Sequence, residues 1–95
     1  MALDGKGRRK LRALGHHLAA VVYVGQNGVT EAVIGATDQA LEDHELIKVK
    51  VGDAPMNRHE AAEALAQATR SEVAQVLGNT MLLFRKRIKD SKIDL

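Results

Sequence analysis

Residues 21–36 read VVYVGQNGVTEAVIGA: an apolar run, two glycines three positions apart, and a run with helical spacing. Residues 20–24 are largely β-branched with Tyr23 among them, and they stop at Gly25, which predicts a first strand. Beyond Gly28, the residues Val33, Ala36, Thr37, Ala40 and Leu41 keep helical spacing to about residue 43, with Thr30 or Gly28 as candidate N-cap. The acidic residues fall on the opposite face of that helix. The turn between strand and helix, Gly25, Gln26, Asn27 and Gly28, admits three readings: a plain turn, a nucleotide cradle, or a clamp on an RNA backbone.

Working outward, residues 45–52 read ELIKVKVG and alternate, with Ile47, Val49 and Val51 on one face and Lys48 and Lys50 on the other, as in a half-buried strand with a cationic outer face. Asn57 followed by Glu60 resembles a capping box and opens an alanine-rich helix to about residue 70, with Pro55 in the loop before it. SEVAQVL and TMLLFR, separated by Gly78 and Asn79, predict a hairpin. Toward the N-terminus, Leu11, Leu14 and Leu18 recur at i, i+3 and i+7, predicting a helix over 6–18 with a leucine side and basic other faces. The expected fold is α/β, one compact domain in the order α-β-α-β-α-β-β. Strands joined through a helix tend to lie parallel and the hairpin must be antiparallel, so the four-stranded sheet is mixed. Both Leu82/Phe84 and Met81/Leu83 suit an inward position, which leaves the face covered by the first helix open.

The chain has 95 residues, enough for one core that buries about 60 to 65% of the unfolded surface. With no cysteine, disulfides and thiolate zinc sites are excluded, and no apolar run reaches the ~18 residues of a membrane span. The N-terminal MALDGKGRRK carries charges where a signal peptide needs apolar residues, so a cytoplasmic protein is expected. The net charge is only +2, but it is segregated. Lys6, Arg8, Arg9, Lys10 and Arg12 cluster near one end, and Arg85, Lys86, Arg87, Lys89 and Lys92 near the other. Between them, Glu31, Asp38, Glu42, Asp43 and Glu45 occur in a stretch with no lysine or arginine. Such asymmetry suggests a polyanionic partner, whereas a single basic run is commonly just a solvated face.

Other chemistry is poorly supplied. A Walker A loop needs Lys and Ser or Thr after its second glycine, where Val29 and Thr30 stand, and GxGxxG is absent. His16, His17, His44 and His59 lack metal-ligand spacing, and Ser71 and Ser91 lie in no nucleophile motif, so no catalytic residue, metal or cofactor is expected. The aromatic residues are Tyr23 and Phe84 alone, both in predicted strands where core or edge packing is the default role. Recognition is therefore expected to rest on phosphates and RNA shape.

The stretches GKGRRKLRALGHHL, VVYVGQNGVTEAV, ALEDHELIKVKV and QVLGNTMLLFR resemble, in order and spacing, the CRM-domain family (chloroplast RNA splicing and ribosome maturation) in its free-standing bacterial YhbY-like form. The likeness covers nearly the whole chain, with the terminal LLFR similar to the family's LVLYR. It implies a fold like the C-terminal domain of translation initiation factor three, RNA binding, and association with ribosomal RNA in precursors of the large ribosomal subunit. Two departures remove charge: Gln26 stands where the family usually has the lysine of G-K-x-G, and Ala19 and Ala20 stand where it tends to have lysine and proline.

A glycine-bounded turn lets an RNA backbone approach main-chain N–H groups with no Cβ in the way, as the GxxG loop of KH domains does. The expected RNA-binding set is therefore Gly25, Gln26, Asn27 and Gly28 with Lys6, Arg8, Arg9, Lys10, Arg12, Lys48, Lys50, Arg85, Lys86 and Arg87, and residues 88–95 are expected to form a flexible basic tail. No small-molecule substrate and no membrane partner are expected. The competing function is a protein-interaction module that docks through its acidic or basic helix, with RNA contact incidental.

Overall fold

Alternation and capping set the local structure. The computed structural model describes residues 3–93, and its elements run α1 (Gly5–Gly15), β1 (Ala20–Val24), α2 (Glu31–His44), β2 (Leu46–Val51), α3 (Arg58–Thr69), β3 (Glu72–Leu77) and β4 (Thr80–Phe84). Each helix starts at a polar cap: Asp4, Thr30 and Asn57 accept from the main-chain N–H of Gly7, Val33 and Glu60. Thr30, not Gly28, therefore caps α2. At α3 the expected reciprocal contact is made side chain to side chain, the Asn57 amide donating to Glu60 Oε1 at 2.9 Å.

The sheet order is β1-β2-β4-β3, with β1 parallel to β2 and β4 antiparallel to both of its neighbours. β2 and β3, joined through α3, thus run parallel as expected, but β4 is inserted between them. The hairpin turns at Gly78, whose φ of +58° and position between the paired Leu77 and Thr80 fit a two-residue turn with glycine first.

β4 resolves which side chains point inward: both pairs do. Met81 and Leu83 enter a core formed by Val22, Val24, Ile47 and Val49 with Leu41 of α2 and Leu65 of α3. Leu82 and Phe84 enter a second, smaller core on the other face with Leu46, Ala74 and Leu11 of α1. A strand covered on both faces tends to be continuously apolar, which is why TMLLF shows no alternation.

The leucine stripe expected to seat α1 does not do so. Leu11 is fully buried, but Leu14 and Leu18 are 45% and 36% exposed, and the helix ends at Gly15 rather than at residue 18. The contact runs through Leu11 and Gly15, one turn apart, and a Cβ on Gly15 would lie 2.5 Å from Leu82 Cδ1. Only a residue without a side chain allows the helix backbone this close to β4.

Glu45, between α2 and β2, is fully buried. Its carboxylate accepts from the Arg87 amide at 2.8 Å, the Ser91 hydroxyl at 2.7 Å and the Lys92 amide at 2.6 Å, and the Arg87 guanidinium lies 3.9 Å away. These bonds draw the expected tail back onto the domain, and Ile93 packs against the smaller core. Residues 94 and 95 lie outside the described residues. Glu45 holds this position with φ 64° and ψ −46°, a conformation that costs a non-glycine residue of order 1–3 kcal/mol.

Burial alone would raise the pKa of Glu45, but the bonds from Ser91, Arg87 and Lys92, with the Arg87 charge, outweigh it and leave the carboxyl below the ordinary glutamate value. The stability that this group adds is complete above the ordinary glutamate pKa and is lost as pH falls through the lower folded value. Chemical denaturation across acid pH is expected to show this loss. Glu45→Gln is expected to be less stable at neutral pH by at least about 1.5 kcal/mol, the worth of a charge-assisted hydrogen bond, and to lack that part of the acid dependence.

Candidate nucleic-acid interface

β1 delivers the chain to the turn at residues 25–28, where the Gly28 N–H donates to the Gly25 carbonyl at 2.9 Å. The two glycines have different tasks. Gly28 is buried with φ +71°, and a Cβ there would lie 3.3 Å from Pro55 Cγ, so it forms the turn and seats it on the loop before α3. Gly25 is partly exposed and has no positive φ. Gln26 and Asn27 form the exposed tip, and among the described residues their main-chain N–H groups meet no acceptor. Two N–H groups without acceptors on exposed residues, with no side chain on Gly25, suit the approach of an anionic backbone. Glu31 in the first turn of α2 offsets part of the helix's N-terminal positive charge, so the attraction rests on these N–H groups and on neighbouring cations.

Those cations come from the sheet. Lys48 and Lys50 point to the α1 side, away from the larger core, and Lys50 pairs in register with Tyr23, two residues before Gly25. Arg12 and Lys48 line one depression with His16, Gln75, Leu77 and Thr80. The structure thus brings together Arg12, Lys48, Lys50 and the tip of the turn along one sheet face. Lys6, Arg8, Arg9 and Lys10 are exposed on α1. The helix starts beside Glu72, whose carboxylate accepts from the Leu3 amide, so these residues extend the basic surface toward the sheet end remote from the turn.

Arg85, Lys86 and Arg87 lie at that remote end, because Phe84 pairs with Leu46 whereas the turn follows the opposite ends of β1 and β2. At about 3.3 Å per residue, the length of β2 puts about 17 Å between the two groups. Arg85 is committed internally: Nη1 donates to Asp38 Oδ1 at 2.6 Å and to the Thr69 carbonyl at 2.7 Å, and Nη2 to the Asp38 carbonyl at 3.1 Å and Glu42 Oε2 at 3.3 Å. Arg87 faces Glu45, and Lys86 is exposed.

Of the expected core and edge packing, Phe84 takes the first and Tyr23, on the edge strand β1, the second. Tyr23 is 57% exposed, while Phe84 is buried. Strand alternation turns Val22 and Val24 to the larger core and Val21 and Tyr23 to the opposite face, which no helix covers at β1. An alternation of this kind is invisible in AVVYV, where every residue is apolar. Among the described residues no group of three or more histidine, cysteine, aspartate or glutamate side chains is placed to hold a metal ion.

These features describe a small mixed α/β domain whose sheet carries a cationic strip ending in a glycine-bounded turn. A family model described as the CRS1 / YhbY (CRM) domain matches residues 3–85, and the chain belongs to that family. It is 39% identical over 93 residues to a probable RNA-binding protein of Pseudomonas aeruginosa, covering 97% of this chain and 89% of that protein. It is 38% identical over 94 residues to the probable RNA-binding protein YqeI of Bacillus subtilis, covering 98% of each. The solution structure of a hypothetical protein of Staphylococcus aureus, described as a candidate RNA-binding protein, matches with a TM-score of 0.86 at 38% identity over 99% of both chains.

The two cation groups should separate experimentally. Lys48→Gln with Lys50→Gln is expected to leave the melting temperature near wild type, weaken RNA binding and reduce the slope of log affinity against log salt by about 1.4, two single-strand phosphate contacts. Arg85→Gln is expected to lower the melting temperature and leave that slope unchanged. Titrations at several salt concentrations beside thermal melts check both.

Proposed function

We propose that this protein binds RNA, holding the backbone on the N–H groups of the turn at Gln26 and Asn27 and on the strip formed by Lys50, Lys48 and Arg12, with the rest of the α1 cations and Lys86 extending the field. The observation that carries the proposal is the exposed, glycine-bounded tip at the end of a sheet face bearing two lysines. Family membership and the names of the relatives support RNA as the ligand class. The family resemblance further supports structured ribosomal RNA in large-subunit precursors as the target, a cytoplasmic setting and a binding role without catalysis. Among the described residues no helix is long and apolar enough to cross a membrane.

A protein partner docking on the acidic helix is the weaker reading, because all but Glu31 of the acids in that stretch are occupied. Asp38 and Glu42 hold Arg85, Glu45 is buried, and Asp43 accepts from Gln39 at 3.0 Å.

Gln26→Asp with Asn27→Asp tests the clamp without touching the glycines, whose replacement would disturb the turn itself: Gly28 has a positive φ, and a Cβ on Gly25 would lie 3.0 Å from the Tyr23 ring. Both side chains are exposed, so folding stability is expected to move by no more than about 0.5 to 1 kcal/mol. Two carboxylates beside the bound phosphates are expected to cut RNA affinity by more than about tenfold, most at low salt. A folded double variant with wild-type RNA affinity would exclude the clamp. Crosslinking of the purified protein to cellular RNA, mapped by position, tests the ribosomal target.

A further inference from the structure

The backbone contacts above carry no base recognition, yet the sheet face beside the turn holds an aromatic ring that the core does not use. Tyr23 is 57% exposed although it sits within a strand, one residue from its end. Its ring is nonetheless placed. Its hydroxyl end reaches over Gly52, where a Cβ would lie 1.8 Å from the phenolic oxygen and 2.5 Å from Cζ, and its Cε2 edge reaches Gly25, where a Cβ would lie 3.0 Å away. Gly52 is tied to β1 by its N–H, which donates to the Val24 carbonyl at 2.8 Å. The ring therefore lies across the ends of β1 and β2, next to the first residue of the turn and paired in register with Lys50.

We infer that Tyr23 is a stacking platform for an unpaired RNA base, with the turn and Lys50 holding the phosphates on either side of that nucleotide. This inference rests on the RNA-binding reading and adds a preference to it. Every base offers a π-face, so the platform selects unstacked over paired nucleotides rather than one base over another. An exposed ring resting on glycine backbone contributes little to folding, and the flanking lysine suits an anionic ligand. Both features favour RNA over an apolar protein segment as the occupant.

The chain has one tyrosine and no tryptophan, so its intrinsic tyrosine emission reports on this ring alone. Oligoadenylate and a blunt RNA duplex are the probes, each titrated against wild type, Tyr23→Ala, Tyr23→Phe and Gly52→Ala, with thermal melts of all four proteins. Oligoadenylate is expected to quench the tyrosine emission of wild type. Tyr23→Ala is expected to bind oligoadenylate about tenfold more weakly while keeping its duplex affinity and its salt slope, and Tyr23→Phe to bind both probes as wild type does. Gly52→Ala, which displaces the ring without removing it, is expected to weaken oligoadenylate binding selectively with a melting temperature near wild type. Wild-type oligoadenylate affinity in Tyr23→Ala, or an equal loss on both probes, would overturn the platform and leave the RNA-binding reading intact. No binding of either probe by wild type would overturn both.

Discussion

One helix cannot cover four strands. Strands lie about 4.8 Å apart and a helix with its side chains is about 10 Å across, so a four-stranded sheet needs two helices to bury one face. α2 and α3 supply two on one side, and the larger core lies beneath them. α1 is alone on the other, packed on β2, β3 and β4. The outer face of β1 and the C-terminal end of β2 are therefore left to solvent, and that uncovered strip holds Val21, Tyr23 and Lys50, with the half-buried Lys48 at its border beside α1. The binding surface follows from a shortage of helices, and the close seat of Gly15 on Leu82 fixes α1 where it leaves the strip open.

The charge segregation along the chain has two physical outcomes. At the C-terminal end, cations and the acids of α2 neutralise one another: Arg85 is clasped by Asp38 and Glu42, and the bonds to Glu45 fold the following segment back. At the other end, the cations of α1 and Lys50 of β2 stand on exposed surface, with Lys48 half-buried beside them. A modest net charge therefore conceals a polarised molecule, in which the acidic segment is largely consumed by structure and the basic field is concentrated on the α1 side.

The number, type and order of the elements were legible in the sequence because caps, glycines and alternation are local signals. What was not legible depended on partners far along the chain. Leu14 and Leu18 fit a helical stripe, but the close approach of Gly15 to β4 redirected the contact. Glu45 read as one acid among five, since its partners lie more than forty positions later. Arg85 looked as free as Lys86 until α2 was placed beside it. Tyr23 was hidden by an entirely apolar strand, whose outward positions become known only once β1 is seen at the sheet's edge. The turn itself was found from its glycines, yet only the structure separates Gly28, which shapes it, from the tip, which is available to a ligand.

The insertion of β4 between β2 and β3 also bears on how the molecule comes into being. A chain made from its N-terminus produces β1, β2 and β3 first, and these include no neighbouring pair beyond β1 with β2. The strand that joins the halves of the sheet is made last, and the amides that satisfy the Glu45 carboxylate follow it. A nascent fragment ending before residue 80 has two unpaired strand edges, an incomplete core and a carboxylate with no donor. Vectorial synthesis thus delays closure of the fold until β4 and the segment that follows it have emerged.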